Sequence, residues 1–342
     1  MSSAPLQRTK LGRYYSGASE TLLSSELGAK LEGKVQLVLT SPPFPLNNKK
    51  SYGNLTGNEY RKWFVALAEV FAKLLTPDGS IVVEVGNSWE PRRPIQSLLP
   101  LECLLAFVKS KAAGLRLCQE FICYNPARLP SPAAWVTVER ERVTDSFTRV
   151  WWMARTDRPK ADNSRVLRPY SASMRALLRK RTFNRKPRPS AHHISQDGFL
   201  TDNGGSIAHN VFEFSPMADG RKVRLPNAFA FANTGSTDSF SRLCRERSIT
   251  PHPARMPAGL ASFFIQFLTD RSDVVLDPFA GSNTTGFVAE LLGRRWIAID
   301  SDPSFAEQSK IRFEDPDLTS LEKARGHDGP GKRSGQLPLS LR

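Results

Sequence analysis

The stretch Asp273-Val274-Val275-Leu276-Asp277-Pro278-Phe279-Ala280-Gly281-Ser282 predicts a short buried strand that runs into a tight turn of small residues. A helical pattern follows over 283–292, and 295–300 is typical of a second strand. This βαβ unit ends on Asp300, an acid 23 positions after Asp277. It suits an adenosine-containing ligand, because a small turn lets backbone approach the ligand and the second-strand carboxylate can accept both ribose hydroxyls. A βαβ unit with a purely structural role is the alternative.

A second stretch, Thr40-Ser41-Pro42-Pro43-Phe44, directly follows the apolar run 35–39, which predicts another buried strand. Two successive prolines remove backbone donors and fix φ, so they form a rigid corner whose carbonyls can accept hydrogen bonds. The Ser41 hydroxyl adds an acceptor, and the Phe44 ring adds a flat surface. The corner therefore fits the exocyclic amine of a nucleobase. A Pro-Pro turn or a short polyproline ligand is the alternative.

Apolar periodicity predicts helices and strands that alternate along much of the chain. The predicted helices cover 19–31, 59–75, about 98–113 and 260–268, and the predicted strands cover 80–86, about 115–124 and 147–153. Pro77-Asp78-Gly79 is expected to end the second helix. This order indicates an α/β sheet, and the weak alternation in 80–86 favours a parallel one. We expect residues 1 to about 15 to be a loose arm and the tail from about Asp315 to be disordered.

The charge of the chain points to a polyanionic partner. The formal net charge is +15, and residues 155–188 hold twelve Lys or Arg but only two acids. Clear apolar periods are few from 155 to about 248, so this stretch is expected to be a functional insertion; a disordered linker is the alternative. Lys49 and Lys50, in a polar loop, suit a flap near a phosphate backbone or a solvated turn.

Other sequence features exclude some classes of protein. No apolar run approaches membrane-spanning length and the N-terminus lacks the core of a signal peptide, so we expect a cytoplasmic protein without membrane contact. Its four cysteines, Cys103, Cys118, Cys123 and Cys244, show no paired spacing and no metal-ligand pattern with histidine. We therefore expect reduced, mostly buried thiols and no metal.

Taken together, Asp-Pro-Phe-Ala-Gly-Ser and Thr-Ser-Pro-Pro-Phe resemble the motifs of DNA amino-methyltransferases that use S-adenosylmethionine. The order, catalytic corner first and cofactor turn last, resembles their circularly permuted beta group, and Ser-Pro-Pro-Phe is similar to the cytosine-N4 branch of restriction-modification systems. The resemblance covers 14 to about 310. It implies an α/β fold with a Rossmann-like methyltransferase sheet, divided into a catalytic half (14–154), an inserted smaller basic target-recognition region (155–250), a cofactor-binding half (251–312) and a disordered tail (313–342).

The resemblance also implies residue roles. The catalytic corner would be Ser41, Pro42, Pro43 and Phe44, and the cofactor site would comprise Thr40, His252, Pro253, Arg255, Asp277, Pro278, Phe279, Ala280, Gly281, Ser282 and Asp300. The predicted DNA-binding residues are Lys49, Lys50, Arg175, Arg179, Lys180 and Arg181. Two positions depart from the family pattern: Asn283 replaces a glycine usual in the cofactor turn, and Ala18 stands where an acid near the cofactor adenine is often found.

The sequence therefore predicts methyl transfer from S-adenosylmethionine to N4 of a cytosine flipped from double-stranded DNA. No cysteine follows a proline, as the nucleophile of cytosine ring-carbon methylation would, so direct transfer is expected. A restriction endonuclease is the expected functional partner without required physical contact, and the chain is expected to be a monomer. Two alternatives stay open: an adenine-N6 enzyme, and a DNA-binding relative that has lost catalysis.

Overall fold

A computed structural model describes residues 4–45, 55–126, 128–182, 200–215, 229–232, 239–252 and 254–314. Its strands are β1 (Gln7–Arg8), β2 (Gly12–Ser16), β3 (Val35–Thr40), β4 (Leu75–Gly86), β5 (Arg116–Tyr124), β6 (Phe147–Ala154), β7 (Val211–Ser215), β8 (Phe229–Ala232), β9 (Val274–Asp277) and β10 (Arg295–Asp300). Its α-helices are α1 (Ser19–Leu23), α2 (Glu26–Leu31), α3 (Gly57–Leu74), α4 (Leu99–Val108), α5 (Ala172–Lys180), α6 (Ser239–Glu246), α7 (Ala258–Leu268), α8 (Thr284–Leu291) and α9 (Ser304–Glu314).

The described strands form one sheet in the order β1-β2-β10-β9-β3-β4-β6-β5-β7-β8. Strands β2, β10, β9, β3 and β4 run parallel, whereas β6 is antiparallel to both of its neighbours. The carboxyl ends of β3, β4, β9 and β10 therefore meet at one edge of the sheet, which we call the catalytic edge. Ligands of open α/β sheets bind at this kind of edge.

Both faces of the sheet are covered, which explains why β3 is buried at all six positions. One core packs α7 and α8 on the sheet around Phe264 and Val288, and the other packs α3 and α4 on it around Phe64 and Phe107. The α/β prediction is confirmed. The expectation of a parallel sheet is correct for the central strands and wrong at β6, because β5 and β6 form an antiparallel pair.

Two local predictions are wrong, and a third segment differs in where the strand begins. The N-terminal arm is not loose, because β2 pairs with β10 and Tyr14 is fully buried. The single helix over 19–31 is two helices, α1 and α2, separated at Ser25, whose backbone is extended. Helix α3 ends at Leu74, and Pro77-Asp78-Gly79 lies within β4. These three residues have no ladder partners in β3, because the register of the β3–β4 pairing shifts between Val35 and Leu37.

The basic stretch is more ordered than its composition indicates. It contributes α5 and α6, and it adds β7 to the main sheet beside β5 and β8 beside β7. Three cysteines are buried and the fourth, Cys118, is half-buried, and all four are free thiols, as predicted. The predicted disordered tail lies outside the described residues. No helix in the described part of the chain is both long and apolar enough to cross a membrane.

Candidate active site

A buried carboxylate joins the two sequence motifs. Asp277, at the end of β9, accepts hydrogen bonds from the Thr40 hydroxyl at 2.8 Å and the Thr285 hydroxyl at 2.7 Å. It also accepts one from the Phe279 backbone N–H at 3.1 Å. Burial raises the pKa of Asp277 to about 6, although these hydrogen bonds oppose the shift. Asp277 therefore shapes the turn and ties β9 to β3 at the catalytic edge, and its oxygens are already engaged.

The turn after β9 is held from several sides. Gly281 has φ of +49°, and a Cβ there would lie 3.2 Å from Nε2 of His252, so a side chain would be strained in its backbone and crowded against the His252 ring. The Tyr14 hydroxyl donates to the Gly281 carbonyl at 2.8 Å, and the Ser19 hydroxyl donates to the Pro278 carbonyl. The turn is thus fixed in shape, with backbone close to any ligand above it.

Asn283 fits the turn in spite of its departure from the family pattern. Its φ of +61° lies in the left-handed region, which asparagine enters more readily than most residues. Its side-chain oxygen accepts from the Gly286 N–H at 3.1 Å and caps α8, and its amide donates to Ser309 at 2.9 Å. Asn283 therefore supplies both the conformation that glycine would allow and a helix cap.

Asp300 lies at the end of β10, opposite the turn. One carboxylate oxygen accepts from the Gly281 N–H at 2.8 Å and the other from the Asp302 N–H at 3.1 Å. Burial raises the pKa of Asp300, although the two hydrogen bonds lower it. Because a carboxylate offers about four acceptor positions, Asp300 keeps capacity for ligand hydroxyls.

Two aromatic rings and an acid lie beside this turn. The Phe279 and Trp63 ring centroids are 5.4 Å apart, and the Trp63 indole N–H donates to Glu20 at 3.2 Å. Glu20 follows Ala18 by two positions, so an exposed acid is present near the place where the family pattern predicted one. Neither Trp63 nor Glu20 was predicted from the sequence to lie at the site, because no local pattern relates α1 and α3 to the turn.

The histidine segment lies partly at the turn. The His252 ring packs against Gly281, and its centroid lies 4.4 Å from the centroid of the Phe305 ring. Burial lowers the pKa of His252, which favours the neutral form of the imidazole. Arg255 instead points to α6, where it donates to Ser241 at 3.0 Å and covers the Phe240 ring. Pro253 lies outside the described residues.

Ser282 and Ala280 have structural contacts. Arg312 donates to both the carbonyl and the hydroxyl of Ser282 at 2.9 Å, and this serine is buried against α9. The Ala280 N–H donates to the Ile299 carbonyl at 2.9 Å. Together with Asp277, Gly281 and Asp300, these residues are brought together by the structure, whereas the Arg255 side chain is directed elsewhere.

The proline corner lies next to an acid that sequence analysis missed. Ser41 forms a side-chain hydrogen bond with Glu84 of β4, and the Thr148 hydroxyl donates to Glu84 at 2.9 Å. Glu84 is buried, and burial raises its pKa, while the two hydrogen bonds and the charge of Arg128 oppose that rise. A carboxylate of raised pKa beside a hydroxyl is suited to accept a proton. The available signal was an acid inside the otherwise apolar strand 80–86.

The rest of the corner is fixed by packing. The Tyr60 hydroxyl donates to the Pro43 carbonyl at 2.6 Å, so α3 fixes the second proline. Within the described part of the chain, no donor lies within hydrogen-bonding distance of the Pro42 carbonyl. The half-buried Phe44 ring lies on Gly86, where a Cβ would come within 2.4 Å of a ring carbon. Ser41 and the Pro42 carbonyl thus form a pair of acceptors beside an aromatic ring.

The predicted DNA-binding residues are partly described. Arg175, Arg179 and Lys180 are exposed on α5, and Arg181 follows at its end. None of the α5 residues is fully buried, and the Ser171 hydroxyl caps the helix through the Met174 N–H at 3.1 Å. Lys49 and Lys50 lie outside the described residues. Among the described residues there is no group of three His, Cys, Asp or Glu that could hold a metal ion.

A DNA methylase family model of N6/N4 type matches residues 35–311, which include the corner, the turn and the strands between them. The chain belongs to this DNA methylase family. The type II methyltransferase M.PvuII of Proteus hauseri is 38% identical over 317 residues, 92% of this chain and 87% of that protein. The M.HpaI methyltransferase of Haemophilus parainfluenzae is 34% identical over 129 residues, 35% of this chain and 38% of that relative.

A solved structure supports the same assignment of this DNA methylase. The PvuII DNA methyltransferase, described as cytosine-N4-specific, superposes with a TM-score of 0.69 at 32% sequence identity. The match covers 94% of this chain and 95% of that structure. The methyltransferase fold predicted from the two motifs is confirmed.

Proposed function

We propose that this DNA methylase transfers a methyl group from S-adenosylmethionine to N4 of a cytosine flipped out of double-stranded DNA. The observation that carries the proposal is the placement of the Ser41–Pro42 corner beside the buried Glu84, at the same edge of the sheet as the turn near Asp300. The similar PvuII enzyme is described as cytosine-N4-specific, and this supports the choice of base.

The residues around the turn fit the proposed cofactor. Asp300 offers acceptor capacity for the ribose hydroxyls. The rings of Phe279 and Trp63, tilted by 59° to each other, offer apolar contacts for the adenine. Glu20 offers an acceptor for its amino group. His252, neutral and packed on Gly281, lies where it can line the methionine end. When bound there, the cofactor supplies an electrophilic methyl group on a positively charged sulfur.

The corner supplies the chemistry on the base. The cytosine amine is a weak nucleophile because its lone pair is delocalised into the ring. Ser41 Oγ and the Pro42 carbonyl accept its two hydrogens and turn the lone pair toward the methyl group, and the positioning supplies much of the rate. When the amine takes up the methyl group it would lose one proton to Ser41, and the Ser41 proton would pass to the Glu84 carboxylate. The Phe44 ring stacks on the base.

The exposed basic side chains of α5 bind phosphates of the duplex. Lys49 and Lys50 are also assigned to phosphate binding, from the sequence alone. In this proposal the methylase acts as a monomer and protects host DNA from a restriction endonuclease that it need not contact. Sequencing DNA from a host that expresses the chain tests the proposal. We expect N4-methylcytosine at one recurrent sequence. Modified adenine would favour the N6 alternative, and unmodified DNA would favour the inactive DNA-binding relative.

A further inference from the structure

The segment 128–146, which we call the apolar loop, lies at the catalytic edge. It connects β5 to β6, and the last residue pair of the β5–β6 ladder before the loop is Tyr124 with Phe147. In the neighbouring strand, Gly86 pairs with Thr148, so the loop emerges beside the end of β4. The Asn87 amide, one residue after β4, donates to Asp145 of the loop at 2.8 Å.

The base of the apolar loop is electrostatically connected to the catalytic corner. Arg128 donates to the Phe147 carbonyl at 3.2 Å and lies 4.0 Å from the Asp145 carboxylate. Its charge also acts on Glu84, where it lowers the pKa. The loop therefore starts within interaction distance of the acid that hydrogen-bonds Ser41.

Three apolar side chains of this loop are unusually exposed. Val143 is 87% exposed, Leu129 81% and Val138 76%, the three highest values among the large hydrophobic residues that the structure describes. Strongly exposed apolar side chains beside a binding edge are candidates for contact with a bound partner. The loop has three arginines and three acids, so its formal charge is zero. Electrostatic attraction to DNA phosphates therefore does not account for the exposure of these apolar side chains.

The apolar loop has its own hydrogen-bond framework. The Asp145 N–H donates across its neck to the Ser131 carbonyl at 3.2 Å, and the Glu141 N–H donates to the Trp135 carbonyl at 2.8 Å. Arg142 ties the loop to the Pro94 carbonyl at 2.7 Å. These bonds stabilise the conformation of the loop in which Leu129, Val138 and Val143 are exposed.

We propose that the apolar loop inserts into the duplex at the target base pair, with Leu129, Val138 and Val143 occupying the space that the flipped cytosine leaves. Apolar side chains act as wedges between base steps in other DNA-binding proteins. A base that must reach Ser41 has to leave its stack, and a filled gap keeps it from returning. This inference rests on the proposed function, since it assigns to the loop a role in holding the target cytosine out of the duplex.

The test compares two duplexes that carry the methylated site identified in host DNA. In one, the target cytosine is paired with guanine, and in the other it faces an abasic position, which lowers the cost of flipping. Leu129→Ser, Val138→Ser and Val143→Ser are measured singly and combined. The controls are Leu105→Ser and Leu117→Ser, which change hydrophobic residues that are 45% and 43% exposed in α4 and near the start of β5.

We expect the combined variant to methylate the paired duplex at least about tenfold more slowly than wild type in a single turnover, and the abasic duplex at nearly the wild-type rate. The salt dependence of binding is expected to stay unchanged, because the loop is neutral. An equal loss on both duplexes, or no loss on either, would overturn the proposal. A wild type that methylates neither duplex would instead refute the proposed function. Because all three residues are exposed, the melting temperatures of the variants should match that of wild type. If the combined variant fails to fold, the rates of the single variants on the two duplexes decide whether the proposal holds.

Discussion

The Thr40 hydroxyl donates to Asp277 at 2.8 Å, and this bond connects the strand that ends in the proline corner to the strand that opens the glycine turn. Both groups are buried. The two motifs are far apart in the sequence, yet β3 and β9 are adjacent in the sheet. The position of the corner relative to the turn is therefore set by one parallel strand pair and one side-chain bond across it.

The first prediction concerns this bond. Thr40→Val keeps the shape of the side chain but removes the donor, so Asp277 loses a partner in a buried site. We expect the free energy of unfolding to fall by about 1–3 kcal/mol, measured by urea denaturation. Thr40→Ser keeps a hydroxyl and should lose less. If the valine variant were as stable as wild type, the bond would contribute nothing to the fold.

The second prediction concerns pH and Glu84. Burial raises the pKa of this carboxyl above its ordinary value of about 4.3. Only the ionised form can accept a proton, so turnover should rise with pH through that raised pKa and level off above it. Glu84→Gln should lower turnover and remove this rise.

Thr148→Val provides the matched control for the pH profile. It removes one hydrogen bond that stabilises the ionised form of Glu84, so the midpoint of the rise should move to higher pH. A purely structural role of Glu84 would leave the midpoint in place. An identical pH profile in all three proteins would contradict proton transfer to Glu84.

The third prediction concerns the cofactor. Hydrogen bonds to a charged group contribute about 1.5–3 kcal/mol, so Asp300→Ala should weaken S-adenosylmethionine binding by roughly ten- to a hundredfold in calorimetry. The Gly281 N–H also loses its acceptor, so melting temperature is measured alongside. A folded variant with unchanged affinity would exclude Asp300 from the cofactor site.

The fourth prediction concerns α5. Replacing Arg175, Arg179 and Lys180 with glutamine should weaken binding to any duplex and flatten the salt dependence by about one unit of slope per lost phosphate contact. The control replaces Lys30, Lys34 and Lys73, which are exposed near the amino-terminal end of β3. The two triple variants remove equal charge, so equal slopes would mean that α5 makes no phosphate contact.

The sequence alone predicted the parts of the site whose signals are local. The strand before Ser41 and the βαβ unit around Gly281 each combine an apolar run with a turn of restricted residues, and both were located correctly. The helix α3 was also found, because its apolar side chains recur at helical spacing over 18 residues.

The missed features depend on contacts between distant parts of the chain. Glu84 lies near Ser41 only because Thr40 pairs with Val83 in the sheet. The strand β2 exists because its backbone pairs with β10, and β7 because it pairs with β5. No periodicity within these short segments reports such pairing, so composition led to a loose arm and an irregular insertion where the structure has strands.

The most direct test of the central claim is the product of methyl transfer by the purified chain. Duplex DNA containing the methylated site is incubated with labelled S-adenosylmethionine and digested to nucleosides, for wild type and Ser41→Ala. We expect the label in N4-methylcytosine, and at least about a tenfold lower turnover for Ser41→Ala with DNA binding nearly intact, because the acceptor matters most as the amine pyramidalises. Label in N6-methyladenine, or normal turnover by Ser41→Ala on the same site, would contradict the account.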